Sequence, residues 1–331
     1  MNTSNNEKIL VTGGAGFIGS ALVRELLNRN YRVFIYDNFI YGDQSNIIDI
    51  SDSIIIYKGD ILSWNFFNVV KKCKPDYIFN LAAEPYIPHC YDNPEKFFDV
   101  NVLGTMNVLK ATKLFDVKKI IHFSSSEVYG TSKYVPMDEN HPTLPLSTYA
   151  VSKLSADRIC HVWAYEHEIP VVILRPFNCY GPRETQPYVI PEIITQLTKS
   201  NEIMLGNINA QRDFTYVEDT VKCAVALLSC NVMFGDVFNI GSNKVYSIEE
   251  LVYLVGELLN IDDIKIIIDK KRLRPLDVDK LQCDYSKIRS LTDWRPNVDI
   301  KDGLKNTINW YNENGKMWPW EKLVKGTIIT P

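Results

Sequence analysis

The sequence lacks several features that mark common functional classes. Its 331 residues contain no apolar run of the roughly 18 to 20 residues that cross a bilayer, and the start, MNTSNNEKILVTGG, carries no apolar signal segment. The formal net charge of -4 and the pI near 5.8 provide no cationic surface of the kind that binds a nucleic-acid backbone. We therefore expect a cytoplasmic protein that binds neither membranes nor nucleic acids.

Metal-binding and disulfide motifs are also missing. The seven cysteines form no C-x-x-C pair, their number is odd, and the five histidines fall outside metal-ligand spacings such as H-E-x-x-H. We predict reduced thiols and no metal site. With 46% hydrophobic and 23% charged residues, the chain can bury a full core, and its length predicts two lobes.

Short β-type runs alternate with helical patterns along the chain. The strand-like runs are 8–12, 32–36, 54–57, 77–81, 119–124 and 171–174. The helical patterns cover 21–30, 65–72, 100–115, 149–166, 218–228 and 248–258. This alternation predicts an α/β fold of the Rossmann type, with a doubly wound parallel sheet covered by helices on both faces.

Prolines and glycines concentrated between positions 176 and 191 interrupt this regularity and predict a second lobe. We predict that residues 1–176 form a Rossmann-type domain, to which a segment of about 214–242 returns. Residues 177–331 are expected to form mainly a smaller α/β lobe that binds the substrate. Because the chain has no low-complexity linker, we expect the second lobe to be folded onto the first.

The turn between the first predicted strand and helix has a G-x-x-G-x-x-G spacing, formed by Gly13, Gly16 and Gly19. Glycine permits the tight turn, lets backbone N–H groups approach a pyrophosphate, and lets the helix pack on the strand. Asp37 ends the second strand, where a carboxylate can accept hydrogen bonds from both ribose hydroxyls and repel a 2′-phosphate. The pattern predicts a dinucleotide site that takes NAD rather than NADP.

A second group of chemically useful side chains follows the fifth strand-like run. Ser125 lies at its end, and Tyr149-x-x-x-Lys153 places a phenol and an ammonium on one face of a helix. A cation beside a phenol favours the phenolate, so we predict that Lys153 lowers the pKa of Tyr149 below its usual value of about 10. Tyr149 is then the expected base, and Ser125 the expected partner of the substrate oxygen.

In this order, these motifs resemble those of the extended short-chain dehydrogenases that act on nucleotide-linked sugars as epimerases, dehydratases and decarboxylases. The likeness covers nearly the whole chain and is strongest to the nucleotide-sugar 4,6-dehydratases. The further matching pieces are Asp60-Ile61, Asn80 to Ala83, Asn101, Ser124 to Gly130, Arg175 to Asn178, Arg212 to Val217, and Arg274 with Asp277.

The resemblance implies a role for each matching residue. The cofactor is expected to contact Gly13, Gly16, Phe17, Ile18, Gly19, Asp37, Asn38, Asp60, Ile61, Leu81, Ala82, Ala83, Asn101, Tyr149, Lys153 and Phe177. The substrate, a nucleotide-diphosphate sugar, is expected to contact Glu84, Ser125, Asn178, Arg183, Arg212, Arg274 and Asp277. Arginine suits the diphosphate because guanidinium groups chelate phosphate oxygens and stay charged. Helices 100–115 and 149–166 correspond to a dimer interface in relatives, so we expect a homodimer.

Within this group, the residues before Val128 help to separate the reactions. The resemblance implies small or neutral residues in 4-epimerases and a glutamate, here Glu127, in 4,6-dehydratases. We expect Glu127 to remove the C5 proton after Tyr149 and NAD have oxidised C4, with loss of water from C6 and hydride return to C6. Ser126, where the dTDP-glucose dehydratases carry an aspartate, is a poorer acid. This Ser-Glu pair resembles both GDP-mannose dehydratases and UDP-glucuronate decarboxylases, and the choice stays open.

Two smaller features favour a dehydratase. Glu84 matches the dehydratase version of its loop and disfavours a carboxylate-bearing sugar if it faces the substrate, and segments 176–183 and 189–191 resemble dehydratases of N-acetylhexosamine nucleotides. We predict UDP-N-acetylglucosamine as substrate and a 4-keto-6-deoxy sugar nucleotide as product, with coupled inversion at C5 left open. The alternatives are a UDP-glucuronate decarboxylase, a UDP-sugar 4-epimerase and a non-catalytic dinucleotide-sensing regulator. The retained Ser125, Tyr149 and Lys153 argue against the regulator.

Overall fold

Twelve strands are present in the computed structural model, which describes residues 7–321. They are β1 (Lys8–Thr12), β2 (Arg32–Asp37), β3 (Ile54–Lys58), β4 (Tyr77–Asn80), β5 (Lys119–Phe123), β6 (Val171–Pro176), β7 (Asn178–Tyr180), β8 (Glu202–Leu205), β9 (Gln211–Tyr216), β10 (Val237–Ile240), β11 (Val245–Ser247) and β12 (Lys265–Ile268). Seven of these strands form a central sheet in the order β3-β2-β1-β4-β5-β6-β10, and every pair in it is parallel.

Ten α-helices surround the strands in the described part of the chain. They are α1 (Phe17–Asn28), α2 (Asn65–Cys73), α3 (Pro94–Phe98), α4 (Thr105–Leu114), α5 (Thr148–Glu166), α6 (Val189–Leu197), α7 (Val217–Ala226), α8 (Ile248–Leu259), α9 (Ser286–Thr292) and α10 (Ile300–Glu313). Helices α1 and α7 cover one face of the central sheet, and α2, α4 and α5 cover the other. The predicted Rossmann-type fold is confirmed.

The core strands read as continuous apolar runs because both faces of the sheet are covered. Strand β5 is buried at every residue, and β1 at four of its five. The predicted helix 100–115 differs in its first turn, where residues Asp99–Gly104 form a π-helical segment between α3 and α4. Gly104 lies so close to Ile61 that an added Cβ would stand 2.5 Å from the Ile61 Cδ1 atom.

The proline-rich stretch after residue 176 contains structure that the sequence pattern did not predict. Strand β9 pairs with β7 on one side and with β11 on the other. Helix α6 begins at Val189 and contains Pro191 in its first turn, where proline is tolerated. Helices α6, α8 and α10 share a separate apolar cluster, to which Trp318 also belongs. In the predicted returning segment, β10 joins the central sheet and α7 packs on α1. The division at residue 176 stays a prediction.

The parallel arrangement positions the functional residues. All carboxyl ends of the central strands lie at one edge, where ligands bind in open α/β sheets. The segments that follow β1, β2, β3, β4, β5 and β6 therefore meet there, and these segments hold nearly all the residues singled out from the sequence. Within residues 7–321, none of the helices is both long and apolar enough to span a bilayer.

Candidate active site

A cavity of about 770 Å³ lies along the carboxyl edge of the central sheet. Nearly all predicted site residues line it. Those from the cofactor and catalytic groups are Gly13, Gly16, Phe17, Ile18, Gly19, Asp37, Asn38, Asp60, Ile61, Leu81, Ala82, Ala83, Ser125, Ser126, Glu127, Tyr149, Lys153 and Phe177. Those from the substrate group are Glu84, Ser125, Asn178, Arg212, Arg274 and Asp277. The volume is in the range of a cofactor or ligand cleft.

The glycine turn after β1 has no room for side chains at two of its three glycines. An added Cβ on Gly13, whose φ is +72°, would stand 2.9 Å from the Ala82 nitrogen, and one on Gly19 would stand 2.1 Å from the Gly13 oxygen. Gly16 is less crowded, because its nearest contact would be the Gly13 oxygen at 3.2 Å. No side chain caps the start of α1, so its first N–H groups remain available to an anion. The turn fits a pyrophosphate.

Asp37 ties the end of β2 to this turn. Its carboxylate accepts hydrogen bonds from the Ala15 nitrogen at 2.9 Å and from the Phe39 nitrogen at 2.8 Å. Burial raises the pKa of Asp37, and these two backbone hydrogen bonds lower it. A carboxylate has about four acceptor sites, so Asp37 retains capacity to bind ribose hydroxyls in the cavity. Next to it, the Asn38 amide donates to the Asp60 carboxylate at 2.9 Å.

Asn101 and Arg183 are the two predicted residues that do not line the cavity. The Asn101 side chain lies behind the wall, where it accepts from the Glu84 nitrogen at 2.8 Å and donates to the Ser152 hydroxyl at 2.9 Å. It links the loop after β4 to α5, so its hydrogen bonds position the cavity wall, and its expected contact with the cofactor stays a prediction. The Arg183 guanidinium lies outside, 3.9 Å from the Asp49 carboxylate.

The predicted catalytic groups converge from two elements. Ser147 caps α5 by accepting from the Ala150 nitrogen at 3.1 Å, and this helix carries Tyr149, half-buried, and Lys153, buried, one turn apart on the same face. Ser125 follows β5, where its hydroxyl accepts from the Glu127 nitrogen at 3.2 Å. The Ser125 side chain also acts on the Tyr149 phenol, whose pKa it lowers. The phenol and the serine hydroxyl are therefore placed to act on one substrate oxygen.

The predicted effect of Lys153 on Tyr149 is wrong for the residues of the chain alone. Burial raises the pKa of Tyr149 to about 12, the hydrogen bond from Ser125 lowers it, and the charge of Glu127 raises it. Lys153 is itself buried, which lowers its pKa to about 8. Its ammonium donates to the Phe123 carbonyl rather than to the phenol. Desolvation of the phenolate is the largest effect and the Lys153 ammonium is directed to a backbone carbonyl, which is why sequence spacing misjudged the direction.

Two arginines line the cavity from the part of the chain that follows the central strands, Arg212 from β9 and Arg274 from the segment after β12. The Arg212 and Arg274 guanidinium groups lie 3.4 Å and 3.8 Å from the same oxygen of Asp277. The other Asp277 oxygen accepts from the Asn207 amide at 3.0 Å. Burial lowers the pKa of Arg212, and Glu127 is the first of the charges that raise it. Asp277 thus holds two cations in place for an anionic ligand such as a diphosphate.

The structure gives Glu84 a partner that the sequence did not indicate. We expected its carboxylate to disfavour a sugar that carries a carboxylate if it faces the substrate. The buried Glu84 side chain pairs with the Lys96 ammonium at 2.8 Å. Lys96 belongs to α3, and its ammonium also lies over the Tyr41 ring. The ion pair compensates the charge of Glu84, and its effect on substrate choice stays a prediction.

Sequence reasoning missed an aromatic pair that bridges the cavity. The Tyr86 hydroxyl donates to the Pro187 carbonyl at 3.4 Å, and the Tyr188 hydroxyl donates to the Pro85 carbonyl at 3.3 Å. The two rings meet edge to face at 5.7 Å. These contacts join the loop after β4 to the loop before α6. No periodicity or motif connects positions so far apart in the chain, so no sequence signal was available.

The described residues meet the requirements of neither a metal site nor a disulfide bond. Among residues 7–321, no three His, Cys, Asp or Glu side chains come together in a way that could hold a metal ion. The seven cysteines are free thiols.

A family model described as GDP-mannose 4,6 dehydratase matches residues 10–307. The chain belongs to the GDP-mannose 4,6-dehydratase family. A putative UDP-glucose 4-epimerase of Methanocaldococcus jannaschii is 34% identical over 93% of this chain and 99% of its own length. The human dTDP-D-glucose 4,6-dehydratase is 32% identical over 94% of this chain and 92% of its own. A UDP-N-acetyl-alpha-D-glucosaminuronate decarboxylase of Bacillus cytotoxicus is 32% identical over 93% of this chain and 98% of its own length.

Solved structures of relatives include complexes with NAD. The dTDP-glucose 4,6-dehydratase of Bacillus anthracis, in complex with NAD, has a TM-score of 0.85 and 30% identity over 94% of this chain and 98% of that chain. The UDP-glucuronic acid 4-epimerase of Bacillus cereus, in complex with UDP-glucuronic acid and NAD, has a TM-score of 0.86 and 30% identity over 93% of this chain and 99% of that chain. The predicted relationship to extended short-chain dehydrogenases is confirmed, and the prediction of NAD agrees with these complexes.

The GDP-mannose 4,6-dehydratase family places this chain among the NAD-dependent nucleotide-sugar dehydratases, epimerases and decarboxylases. Its relatives divide among all three reactions at similar identity. Similarity therefore identifies the kind of enzyme, and the reaction has to be inferred from the residues that line the cavity.

Proposed function

We propose that the protein is an NAD-dependent nucleotide-sugar 4,6-dehydratase and that its substrate is UDP-N-acetylglucosamine. The observation that carries this proposal is the position of Glu127. The carboxylate lines the same cavity as Tyr149 and Ser125, and its charge acts on both the Tyr149 phenol and the Arg212 guanidinium. A 4-epimerase needs no carboxylate there, whereas removal of a C5 proton does.

The chain's own residues account for the proton transfers. Ser125 holds the sugar O4, and Tyr149 in its phenolate form takes the O4 proton as C4 becomes a ketone. Because burial raises the pKa of this phenol to about 12, the phenolate is the minor form near neutral pH, and the reaction should become faster as the pH rises. The ketone acidifies C5, so Glu127 removes the C5 proton and delivers a proton to the C6 hydroxyl, which leaves as water. NAD, when bound, accepts the C4 hydride and returns it to C6. C5 is then reprotonated by Glu127 with a proton taken from solvent, and Tyr149 releases the O4 proton to solvent. Ser126 lines the same cavity.

Substrate and cofactor occupy different ends of the cavity in this proposal. The glycine turn and Asp37 hold the dinucleotide, while Arg212 and Arg274, fixed by Asp277, hold the diphosphate of the sugar nucleotide. The N-acetylhexosamine preference rests on the likeness of segments 176–183 and 189–191 to dehydratases of such nucleotides. Phe177 and Asn178 from the first of these segments line the wall.

A decarboxylase acting on UDP-glucuronate is the second candidate. The sequence alone disfavoured a decarboxylase because of the Glu84 carboxylate. The Glu84–Lys96 ion pair weakens that objection, because a neutral pair does not repel a sugar carboxylate. A relative also carries the name of a decarboxylase. A UDP-sugar 4-epimerase is disfavoured by Glu127, and a non-catalytic regulator by the assembled Ser125, Tyr149 and Lys153.

We also propose that the protein is a homodimer through α4 and α5. Large apolar side chains on or next to these helices are exposed in the single chain, among them Leu103 at 49%, Val151 at 38% and Val162 at 41%. Sedimentation of the purified protein tests this. The cytoplasmic location stays a prediction.

The experiment that tests the proposed reaction is mass spectrometry of products. The purified protein with NAD is incubated with UDP-N-acetylglucosamine, UDP-glucose, dTDP-glucose, GDP-mannose and UDP-glucuronate. We expect loss of one water from UDP-N-acetylglucosamine. Loss of carbon dioxide from UDP-glucuronate alone contradicts the dehydratase and supports the decarboxylase. Unchanged mass with altered sugar stereochemistry supports the epimerase.

A further inference from the structure

A buried polar network joins two elements of the active site and is not used by the proposed proton transfers. Its centre is the buried Arg175 guanidinium, on β6. Arg175 donates to both carboxylate oxygens of Asp157, from Nε at 2.8 Å and from Nη2 at 3.0 Å. Its Nη1 atom donates to the Tyr129 hydroxyl at 2.9 Å. One guanidinium therefore connects α5, which carries Asp157, to the short helical turn that carries Tyr129.

The hydrogen bonds of Tyr129 fix the orientation of its hydroxyl group. A guanidinium only donates, so the Tyr129 hydroxyl accepts from Arg175 and directs its own proton to the Asn239 side-chain oxygen at 2.7 Å. The Asn239 side-chain nitrogen in turn donates to the Met137 carbonyl at 3.1 Å. Because Asn239 belongs to β10, the network is anchored in the central sheet on two neighbouring strands.

The two ends of the network lie on the elements that carry the proposed bases. Tyr129 ends the short turn that contains Glu127, and the Gly130 nitrogen closes this turn by donating to the Glu127 carbonyl at 3.2 Å. Asp157 lies two helical turns after Tyr149, about 12 Å along α5 and on the same side of the helix. The network therefore links the turn of the proposed C5 base to the helix of the proposed O4 base.

The energetics of a buried ion pair favour a geometric role for this link. Taking two charges out of water costs about as much as their attraction returns, so the pair adds little stability compared with apolar side chains of similar volume. A bidentate pair does restrict geometry, since two N–H groups must point at two oxygens in one plane. The Arg175 guanidinium also lies 4.9 Å from the centre of the Tyr129 ring. The arrangement thus fixes the distance between the Glu127 turn and α5.

We infer that Tyr129, Arg175 and Asp157 are positioning residues, which hold Glu127 within reach of the sugar C5 while Tyr149 acts on O4. This inference rests on the proposed dehydratase function. The network acts through Glu127 and touches neither substrate nor cofactor, because the cavity is lined by other residues. Its loss should slow water elimination more than C4 oxidation.

The test begins with Tyr129→Phe in the full chain, incubated with NAD and UDP-N-acetylglucosamine. The ring and the Arg175–Asp157 pair remain, but the Glu127 turn loses its hydrogen bonds to the network. We expect dehydrated product to form about 5- to 20-fold more slowly, because small displacements of a catalytic group are costly. C4 oxidation, recorded as the single-turnover rise in absorbance near 340 nm, should stay within about twofold of the parent protein.

Arg175→Lys is the second variant, because lysine keeps the charge but has no planar fork to contact Asp157 and Tyr129 together. It should lower the ratio of dehydration to oxidation in the same way. If one variant fails to fold, the other decides.

Tyr311→Phe is the matched control, since Tyr311 is equally buried but packs in the apolar cluster of α6, α8 and α10. Loss of a buried hydroxyl should lower the thermal midpoint of both tyrosine variants, whereas only Tyr129→Phe should change the ratio of the two rates. Hydrogen exchange of residues 124–131 needs no substrate. It should become faster in Tyr129→Phe and stay unchanged in Tyr311→Phe.

Equal slowing of oxidation and dehydration in Tyr129→Phe and Arg175→Lys overturns the inference, because a merely structural role predicts that result. An unchanged ratio of the two rates overturns it as well. A parent protein that dehydrates none of the sugar nucleotides contradicts the proposed function instead. In that case the exchange comparison decides whether the network holds the Glu127 turn.

Discussion

The two ends of the cavity recognise ligands in different ways. At the cofactor end, Gly13, Gly16 and Gly19 act through backbone shape and Asp37 is held by two nearby backbone N–H groups. At the substrate end, the charged side chains come from two segments of the chain. Arg212 lies more than 60 positions before Arg274 and Asp277. The cofactor end is therefore sensitive to added volume, and the substrate end to lost charge.

The largest expected effect lies between the two ends. Tyr149→Phe removes the phenolic hydroxyl that lines the cavity together with Ser125, so O4 loses its proposed base. We expect product formation to fall about 10³- to 10⁴-fold while NAD affinity stays unchanged. Steady-state turnover and NAD titration check both. Activity near that of the parent protein contradicts the assigned base and revives the regulator.

Glu127→Gln should separate oxidation from dehydration. The amide keeps the shape of the side chain but cannot accept the C5 proton, so dehydrated product should fall about 10²- to 10³-fold. The bound cofactor should still be reduced, which absorbance near 340 nm records. If dehydration continues at the parent rate, the base is another group.

Gly19→Ala and Gly16→Ala form a matched pair at the cofactor end. The added methyl would lie 2.1 Å from the Gly13 oxygen in the first variant and 3.2 Å from it in the second. We expect Gly19→Ala to weaken NAD binding about 10- to 100-fold, in line with overpacking, and Gly16→Ala to have the smaller effect. Calorimetric titration decides the order. If Gly16→Ala weakens NAD binding more than Gly19→Ala does, the proposal that Gly19 shapes the pyrophosphate site is contradicted.

Asp277→Asn should have the smallest effect, confined to the substrate end. Losing the carboxylate frees Arg212 and Arg274, so KM for the sugar nucleotide should rise about 3- to 10-fold with little change in kcat. NAD affinity should not change. Asp262→Asn, on an exposed side chain that is not among the charges acting on Arg212, is the control. A loss of NAD affinity in Asp277→Asn breaks the separation of the two ends.

The same contrast explains what the sequence could predict. The cofactor end is local: a strand, three glycines and a carboxylate appear as periodicity and spacing, so β1, β2 and the glycine turn were predicted correctly. The substrate end depends on distant partners. Neither the Glu84–Lys96 pair nor the Tyr86–Tyr188 bridge leaves a pattern in the sequence.

Burial produced the remaining differences. The spacing of Tyr149 and Lys153 predicts that they share a helix face, which the structure shows, but it contains no information on desolvation. That effect raises the pKa of the phenol instead of lowering it. Strand β7 has only three residues, too few for an alternation pattern, and it forms by pairing with β9 more than 30 positions further along the chain.

The most direct test of the central claim is dehydration of UDP-N-acetylglucosamine in heavy water, followed by mass spectrometry of the sugar nucleotide. If Glu127 exchanges the C5 proton with solvent during water elimination, the product should have lost one water and gained one deuterium at C5. A sugar nucleotide of unchanged mass and without deuterium contradicts the proposed dehydratase.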